Sequence, residues 1–132
     1  MVLRAIITVL CGVGLYASLF MLRKGAVAAR GELTEPSVVQ TPRARLVGGV
    51  PNSLLGVAYY PALAIAVWLA DTHLALALLM VPVLAAAAIS LVLAYSLLFV
   101  TRMPCVFCWT SHAINWSLAL CTALLVASTA GQ

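Results

Sequence analysis

Charged side chains are scarce in this chain. Its 132 residues include seven Lys or Arg and three Asp or Glu, which together make 8% of the sequence, while 65% is hydrophobic. Soluble domains average about 25% charged and about 45–50% apolar residues, so this balance excludes an ordinary soluble domain. The chain also lacks an internal repeat and a glycine-rich phosphate loop. We therefore expect an integral membrane protein that contacts membrane lipid and has no nucleic-acid partner.

Four apolar stretches are long enough to cross a bilayer, since about 20 residues at a rise of about 1.5 Å cover its roughly 30 Å core. They are residues 5–22, 51–70, 74–100 and 105–130. The first stretch exceeds the ~7–15-residue core of a signal peptide and basic residues follow it, so we expect a retained span. The predicted fold is an all-α four-transmembrane-helix bundle, a single membrane domain over residues 1–132 with an extramembrane loop at 23–50.

The cysteines fall into two pairs with different settings. Cys11 and Cys121 lie in mid-span among Leu, Val and Ala, where a thiol is usually an inert small hydrophobe. Cys105 and Cys108 follow Pro104, which suits a helix start. Residues i and i+3 share a helix face at a separation that a disulfide tolerates, and the first helical amides stabilise a thiolate. The second pair therefore predicts a reversible dithiol/disulfide couple.

Other readings of the same residues stay open at this point. The cysteine pair and His112 lie at i, i+3 and i+7, so the three side chains could offer soft ligands to a metal in a metal-binding membrane protein. No fourth ligand is evident in the sequence. Haem attachment requires a histidine directly after the second cysteine, and Trp109 stands there instead. Two unrelated cysteines in an interfacial turn would also give this spacing.

Three ordered segments carry a family resemblance: "VPNSLLGVAYY" opens the second span, "LAYSLLFV" ends the third, and "CVFCWTSHAIN" opens the fourth. Together they resemble the vitamin K epoxide reductase family of membrane thiol oxidoreductases, over about residues 50–120. The resemblance implies a prokaryotic disulfide-forming member. Such an enzyme would take electrons from a thioredoxin-fold protein in trans and pass them to a bound quinone, ubiquinone or menaquinone. Reduction of vitamin K epoxide is the alternative activity that it implies.

The resemblance also implies roles for individual residues. By position, Cys105 would be the catalytic thiol that forms mixed disulfides with the partner, and Cys108 the catalytic thiol that faces the quinone. Asn52 and His112 match positions that hydrogen-bond the quinone carbonyls. No resident metal is expected on this reading.

The polarity of the spans points to some of the same residues. Asn52, His112 and Asn115 are among the few strongly polar side chains within the spans, and such groups usually face the interior of a bundle. Asn52 could instead cap the second span, and Asn115 could bond a neighbouring helix. Tyr95 is a candidate for the wall of an apolar quinone slot, although interfacial aromatics are also common.

One departure from the family concerns the loop after the first span, where most members carry two further cysteines that relay electrons. Residues 23–50 contain no cysteine. The segment "TEPSVVQTPRARLVGG" still resembles the remainder of that loop, with Glu35 or Pro36 near the place of a relay cysteine. A partner dithiol would therefore attack the Cys105–Cys108 disulfide directly, unless the natural cysteines have been replaced in this sequence.

The basic residues predict the orientation in the membrane. Only Arg4 lies on the side opposite the loop, and six basic residues lie on the loop side: Arg23, Lys24, Arg30, Arg43, Arg45 and Arg102. The positive-inside rule therefore favours a cytoplasmic loop and cysteine pair in a multi-pass inner-membrane protein. Most of the resembling family faces the periplasm or the endoplasmic reticulum lumen, which is the alternative. Cytosolic disulfides are established in hyperthermophilic archaea and bacteria.

Overall fold

The computed structural model describes residues 1–45 and 48–130. These residues form four long helices and no strand. They are α1 (Val2–Ala29), α2 (Asn52–Leu69), α3 (His73–Tyr95) and α4 (Val106–Thr129). A π-helical turn, Ser96–Thr101, continues α3, and two 3₁₀ turns, Val38–Gln40 and Pro42–Ala44, lie between α1 and α2. All four helices, α3 taken with its π turn, are long and apolar enough to cross a membrane, which confirms the predicted four-helix membrane fold.

The first helix is longer than the predicted first span. It runs to Ala29, whereas the predicted span stops at residue 22. The alanine-rich segment after Lys24 contains no proline and favours helix, and Gly31, with a φ of +73°, follows the last turn. The helix therefore includes the first residues of the predicted loop. Where these residues lie relative to the lipid surface stays a prediction. The boundaries of the single domain also stay a prediction.

Small residues bring the first two helices close together. A Cβ atom on Gly14 of α1 would lie 2.5 Å from the ring of Tyr60 in α2, and one on Gly56 of α2 would overlap the hydroxyl of Ser18 in α1. Glycine at these positions allows a backbone approach of the kind common between membrane helices. Helix α1 also packs on α4, and α4 packs on α3, whereas α2 and α3 pack less closely on each other.

The half of the bundle away from the loop is closely packed. Its apolar core combines the start of α1 and α3 with the end of α2 and α4, including Ile7, Cys11, Leu63, Val67, Leu76, Val83, Leu118 and Leu125. Arg4 closes this end, since its guanidinium donates to the carbonyl of Ala70 at 2.8 Å and lies 3.6 Å from the Asp71 carboxylate. The half nearer the loop contains the open space in which the polar residues meet.

Candidate redox site

Helix α3 and helix α4 are joined by a short turn that presents the cysteine pair. Arg102 adopts a left-handed conformation with a φ of +51°, and Pro104, two residues before the start of α4, disfavours helical backbone at Met103. Cys105 is the N-cap of α4, and its Sγ atom accepts a hydrogen bond from the amide of Cys108 at 3.2 Å. The two cysteines form a disulfide with a Cα–Cα distance of 5.2 Å. The predicted i, i+3 pair is therefore within bonding distance at a helix start.

A cavity of about 580 Å³ lies between the four helices on the loop side of the bundle. We call it the inner cavity. Its walls are mostly apolar and include Cys108, Asn52, His112 and Asn115. The structure thus brings one cysteine and three of the four predicted cofactor residues to one space. Residues of the two 3₁₀ turns, among them Val39 and Ala44, line the same cavity from the loop.

Tyr95 does not reach this cavity. Its side chain lies on the outside of α3, where the residue is 63% exposed, and its ring centroid is 4.9 Å from that of Phe99. The next residue, Ser96, lines the inner cavity together with Leu93 and Leu97. Successive residues of a helix point in different directions, so an aromatic residue one position away from the cavity-facing stripe meets lipid instead.

Three polar atoms in the walls of the inner cavity have no hydrogen-bond partner among the described residues. They are the Tyr59 hydroxyl, the Ser96 hydroxyl and Nδ1 of His112. Ser96 is 2% exposed and His112 is 6% exposed. Buried polar groups are normally paired, so unpaired ones in residues that line a cavity mark this region as a candidate ligand site, although the three atoms themselves are buried. Sequence analysis missed Ser96, because a single serine in an apolar span usually bonds to its own helix backbone.

Asn115 is engaged by two neighbouring helices. Its Oδ1 atom accepts from the hydroxyl of Tyr60 in α2 at 3.0 Å, and its Nδ2 atom donates to the hydroxyl of Ser90 in α3 at 2.7 Å. This chain of hydrogen bonds ties three helices together in the wall of the inner cavity. The alternative role foreseen for Asn115, a bond to a neighbouring helix, is therefore present in the structure.

Asn52 lies at the start of α2, where Pro51 is the N-cap residue and no side-chain cap is formed. The Asn52 Nδ2 atom donates to the backbone carbonyl of Arg43 at 2.7 Å. This bond fastens the 3₁₀ turn Pro42–Ala44 beside the mouth of the inner cavity. Asn52 therefore contacts the loop as well as the cavity.

A second space of about 570 Å³ lies on the other side of the cysteine pair. We call it the outer groove. Its walls are formed by Phe20, Met21, Lys24 and the segments 35–38 and 103–107, so they include Cys105. Cys108 does not line the outer groove, and Cys105 does not line the inner cavity. The two ends of the disulfide therefore open into different spaces.

Phe107 separates the inner cavity from the outer groove. It lines both, as do Met21 and Val38. The Phe107 ring stacks on Phe20 of α1, with 3.9 Å between ring centroids and 19° between ring planes. The two stacked rings form an aromatic wall between the two spaces. The disulfide links these spaces covalently, since Cys105 lines one and Cys108 lines the other.

Comparison with known families agrees with this arrangement. The model of the vitamin K epoxide reductase family matches residues 5–123. The chain belongs to the vitamin K epoxide reductase family. A search of curated proteins gives no match. Membership makes the chain a membrane oxidoreductase with a cysteine pair, Cys105 and Cys108, at disulfide distance.

The loop residues that the sequence predicts to lie near the place of a relay cysteine adjoin the outer groove. Glu35 and Pro36, which the sequence puts near a relay position, line the groove together with Cys105. The loop therefore reaches the neighbourhood of Cys105, although residues 23–50 contain no cysteine.

The metal-binding alternative finds no support in the geometry. Within residues 1–45 and 48–130, no three His, Cys, Asp or Glu side chains lie close enough to hold a metal ion. The sulfurs of Cys105 and Cys108 are bonded to each other, and only Cys108 lines the cavity that contains His112. The arrangement fits a redox pair better than a ligand set.

Proposed function

We propose that this protein is a quinone-dependent thiol oxidase that forms disulfides in a thioredoxin-fold partner. Cys105 is the exchanging thiol and Cys108 is the thiol next to the quinone. One observation carries the assignment: of the two spaces, Cys105 lines the outer groove and not the inner cavity, and Cys108 lines the inner cavity and not the outer groove. An electron path from an outside thiol to an inside acceptor needs a pair of sulfurs arranged in this way.

The residues of the inner cavity fit a quinone. Its volume of about 580 Å³ falls in the range of small-molecule sites, roughly 300–1,000 Å³, and its walls combine apolar side chains with a few polar groups. His112 and Ser96 line the cavity and each has a buried polar atom without a partner among the described residues, and a small rotation of either side chain would let it donate a hydrogen bond to a carbonyl oxygen. His112 and Asn52 would hold the ring, and the same imidazole can carry a proton to an adjacent oxygen.

The thiol chemistry follows from the two positions. A partner thiolate attacks Sγ of Cys105, the Cys105–Cys108 bond breaks, and Cys108 leaves as a thiolate in the first turn of α4, where backbone amides stabilise it. The second partner thiol then attacks the mixed disulfide, so that the partner departs oxidised and Cys105 regains a proton. A quinone in the inner cavity would accept two electrons from the pair, together with the proton of Cys105 and the proton that the first partner thiol released to the medium, and the disulfide would re-form.

The charges support a cytoplasmic location for this reaction. Six basic residues lie on the loop side, and Arg4, the basic residue of the other side, is paired with Asp71. The positive-inside rule places such a basic side in the cytoplasm. We propose that the pair exchanges with a cytoplasmic partner of a prokaryotic cell.

Counting free thiols tests the proposed function. The protein is fully reduced, mixed anaerobically with a soluble quinone and alkylated, and its mass then gives the number of thiols. We expect two thiols to disappear from each protein molecule for every quinol formed, and Cys105→Ala or Cys108→Ala to prevent both. Persistence of all four thiols would show that the pair does not reduce quinone.

A further inference from the structure

We propose that the outer groove is the docking site of an acidic, extended, cysteine-bearing segment of the partner protein. This inference rests on the proposed function, because it takes Cys105 as the sulfur that the partner attacks. It adds the chemistry by which the partner is recognised: negative charge beside its reactive cysteine, met by Lys24 in the groove and by the net positive charge of the loop side of the bundle.

The shape of the outer groove suits a short stretch of extended chain. The groove has a volume of about 570 Å³, and its lining includes Cys105, which is half-buried. A reactive cysteine and its two neighbours cover roughly 10 Å in an extended conformation. The apolar side chains of Phe20, Met103 and Val106 line the groove, and Val106 is 77% exposed, so an incoming chain can cover it.

The net charge of the loop side of the bundle favours one class of partner. On the loop side the Arg30 guanidinium pairs with Glu32 at 3.0 Å, which leaves five basic residues against Glu35. The five are Arg23, Lys24, Arg43, Arg45 and Arg102. Lys24 lines the outer groove, whereas Arg43 and Arg45 line the inner cavity on the same side of the bundle. A net charge of one sign attracts oppositely charged ligands over distances of about a Debye length and raises their association rates. A partner with acidic residues beside its cysteine is therefore favoured over a basic one.

Two charged side chains belong to the groove itself. Lys24 and Glu35 both line it, and neither forms an ion pair with the rest of the described chain. Both are therefore available to a docked segment, with opposite effects on an acidic one. Anionic lipid headgroups could also meet a basic face, but this groove leads to a sulfur that must exchange with a thiol, so the observations favour a protein segment.

The test measures docking at Cys105 without any quinone. The Cys108→Ala variant, in neutral detergent, keeps Cys105 as a free thiol. It is mixed with two synthetic peptides whose single cysteine is activated as a 2-thiopyridyl disulfide and flanked by either two Asp or two Lys. The Cys105 thiolate attacks the peptide sulfur, the activating S–S bond breaks, and thiopyridone leaves and is read by its absorbance. Each rate is divided by the rate of the same peptide with mercaptoethanol.

We expect the Asp peptide to react at least about fivefold faster than the Lys peptide in about 0.01 M salt, where the Debye length is about 30 Å. The ratio should approach one in about 1 M salt, where that length is about 3 Å. Lys24→Gln should lower the ratio of the Asp-peptide rate to the Lys-peptide rate, and Glu35→Gln should raise it. The two variants are a matched pair, because each places a neutral amide in the same groove. Equal reaction with 2,2′-dithiodipyridine in all variants shows that the site is intact.

Equal rates for the two peptides, or a ratio that neither substitution changes, overturns the docking proposal. It is also overturned if Lys24→Gln acts only in vesicles that contain anionic phospholipid, because the basic face then serves lipid. The Cys105→Ala variant, whose remaining Cys108 lines the inner cavity, should react with neither peptide. A charge preference without quinone-dependent loss of thiols in the natural sequence would instead overturn the proposed function and leave the docking site standing.

Discussion

Phe107 stacks on Phe20 with 3.9 Å between their ring centroids, and this contact stands where the inner cavity meets the outer groove. Phe107 lies between the two cysteines in sequence and lines both spaces. A thiol that enters the outer groove therefore meets Cys105 before it can reach Cys108. The aromatic wall therefore makes Cys105 the cysteine that is reached from the outer groove.

Removing this wall should weaken the selection of thiols. In Phe107→Ala the inner cavity and the outer groove would join, so that a small dithiol reaches Cys108 directly. We expect the rate of quinone reduction with dithiothreitol to rise severalfold relative to the rate with a protein dithiol. Both rates are measured anaerobically by quinone absorbance. Phe107→Leu, which keeps an apolar side chain in the wall, is the control, and an unchanged ratio in Phe107→Ala would contradict a separating role.

His112 and Asn52 should affect the use of quinone more than the exchange of thiols. Loss of one hydrogen bond of about 1.4 kcal/mol corresponds to about a tenfold change. We therefore expect His112→Ala and Asn52→Ala to raise the KM for a soluble quinone about tenfold. The rate of mixed-disulfide formation at Cys105, measured without quinone, should stay within about twofold of the natural protein.

His112→Gln serves as the matched control because its amide can still donate a hydrogen bond. It should recover part of the lost affinity for quinone. If His112→Ala slowed thiol exchange as much as quinone use, the imidazole would be supporting the helix and not the ligand.

Asn115 should matter for stability first. Its amide joins Tyr60 and Ser90, so Asn115→Ala leaves the buried Tyr60 hydroxyl without its acceptor, which costs about 1–3 kcal/mol. We expect a lower unfolding temperature in detergent with little change in the quinone KM of the folded fraction. Asn115→Ala and His112→Ala thus form a contrasting pair. A large rise in KM at an unchanged unfolding temperature would instead make Asn115 a ligand contact.

Sequence analysis predicted the four helices, the cysteine pair and three cavity residues for definite reasons. Hydropathy identifies membrane helices, and helix geometry fixes the distance between residues three apart. Such reasoning did not show that Ser96, and not its neighbour Tyr95, lines the inner cavity. Choosing between them requires the rotation of α3, and packing in the folded bundle sets that rotation.

The outer groove could not be predicted from the sequence either. It arises because Glu35 and Pro36, in the loop, meet Met103 and Cys105, in the turn before α4. No periodic pattern connects segments so far apart in the chain. The sequence predicted that a relay position lies near Glu35, but the tertiary structure was needed to show that Glu35 and Cys105 line the same groove.

The orientation in the membrane provides the last prediction. Six basic residues on the loop side against Arg4 on the other should hold the loop in the cytoplasm, so that Gln132 faces outward. Alkaline phosphatase fused after Gln132 should then be active, and green fluorescent protein at the same place should be dark. Replacing Arg43, Arg45 and Arg102 with Gln reduces the bias and should give a mixed population. A fluorescent, phosphatase-negative fusion of the natural sequence would place Cys105 outside and require a periplasmic partner.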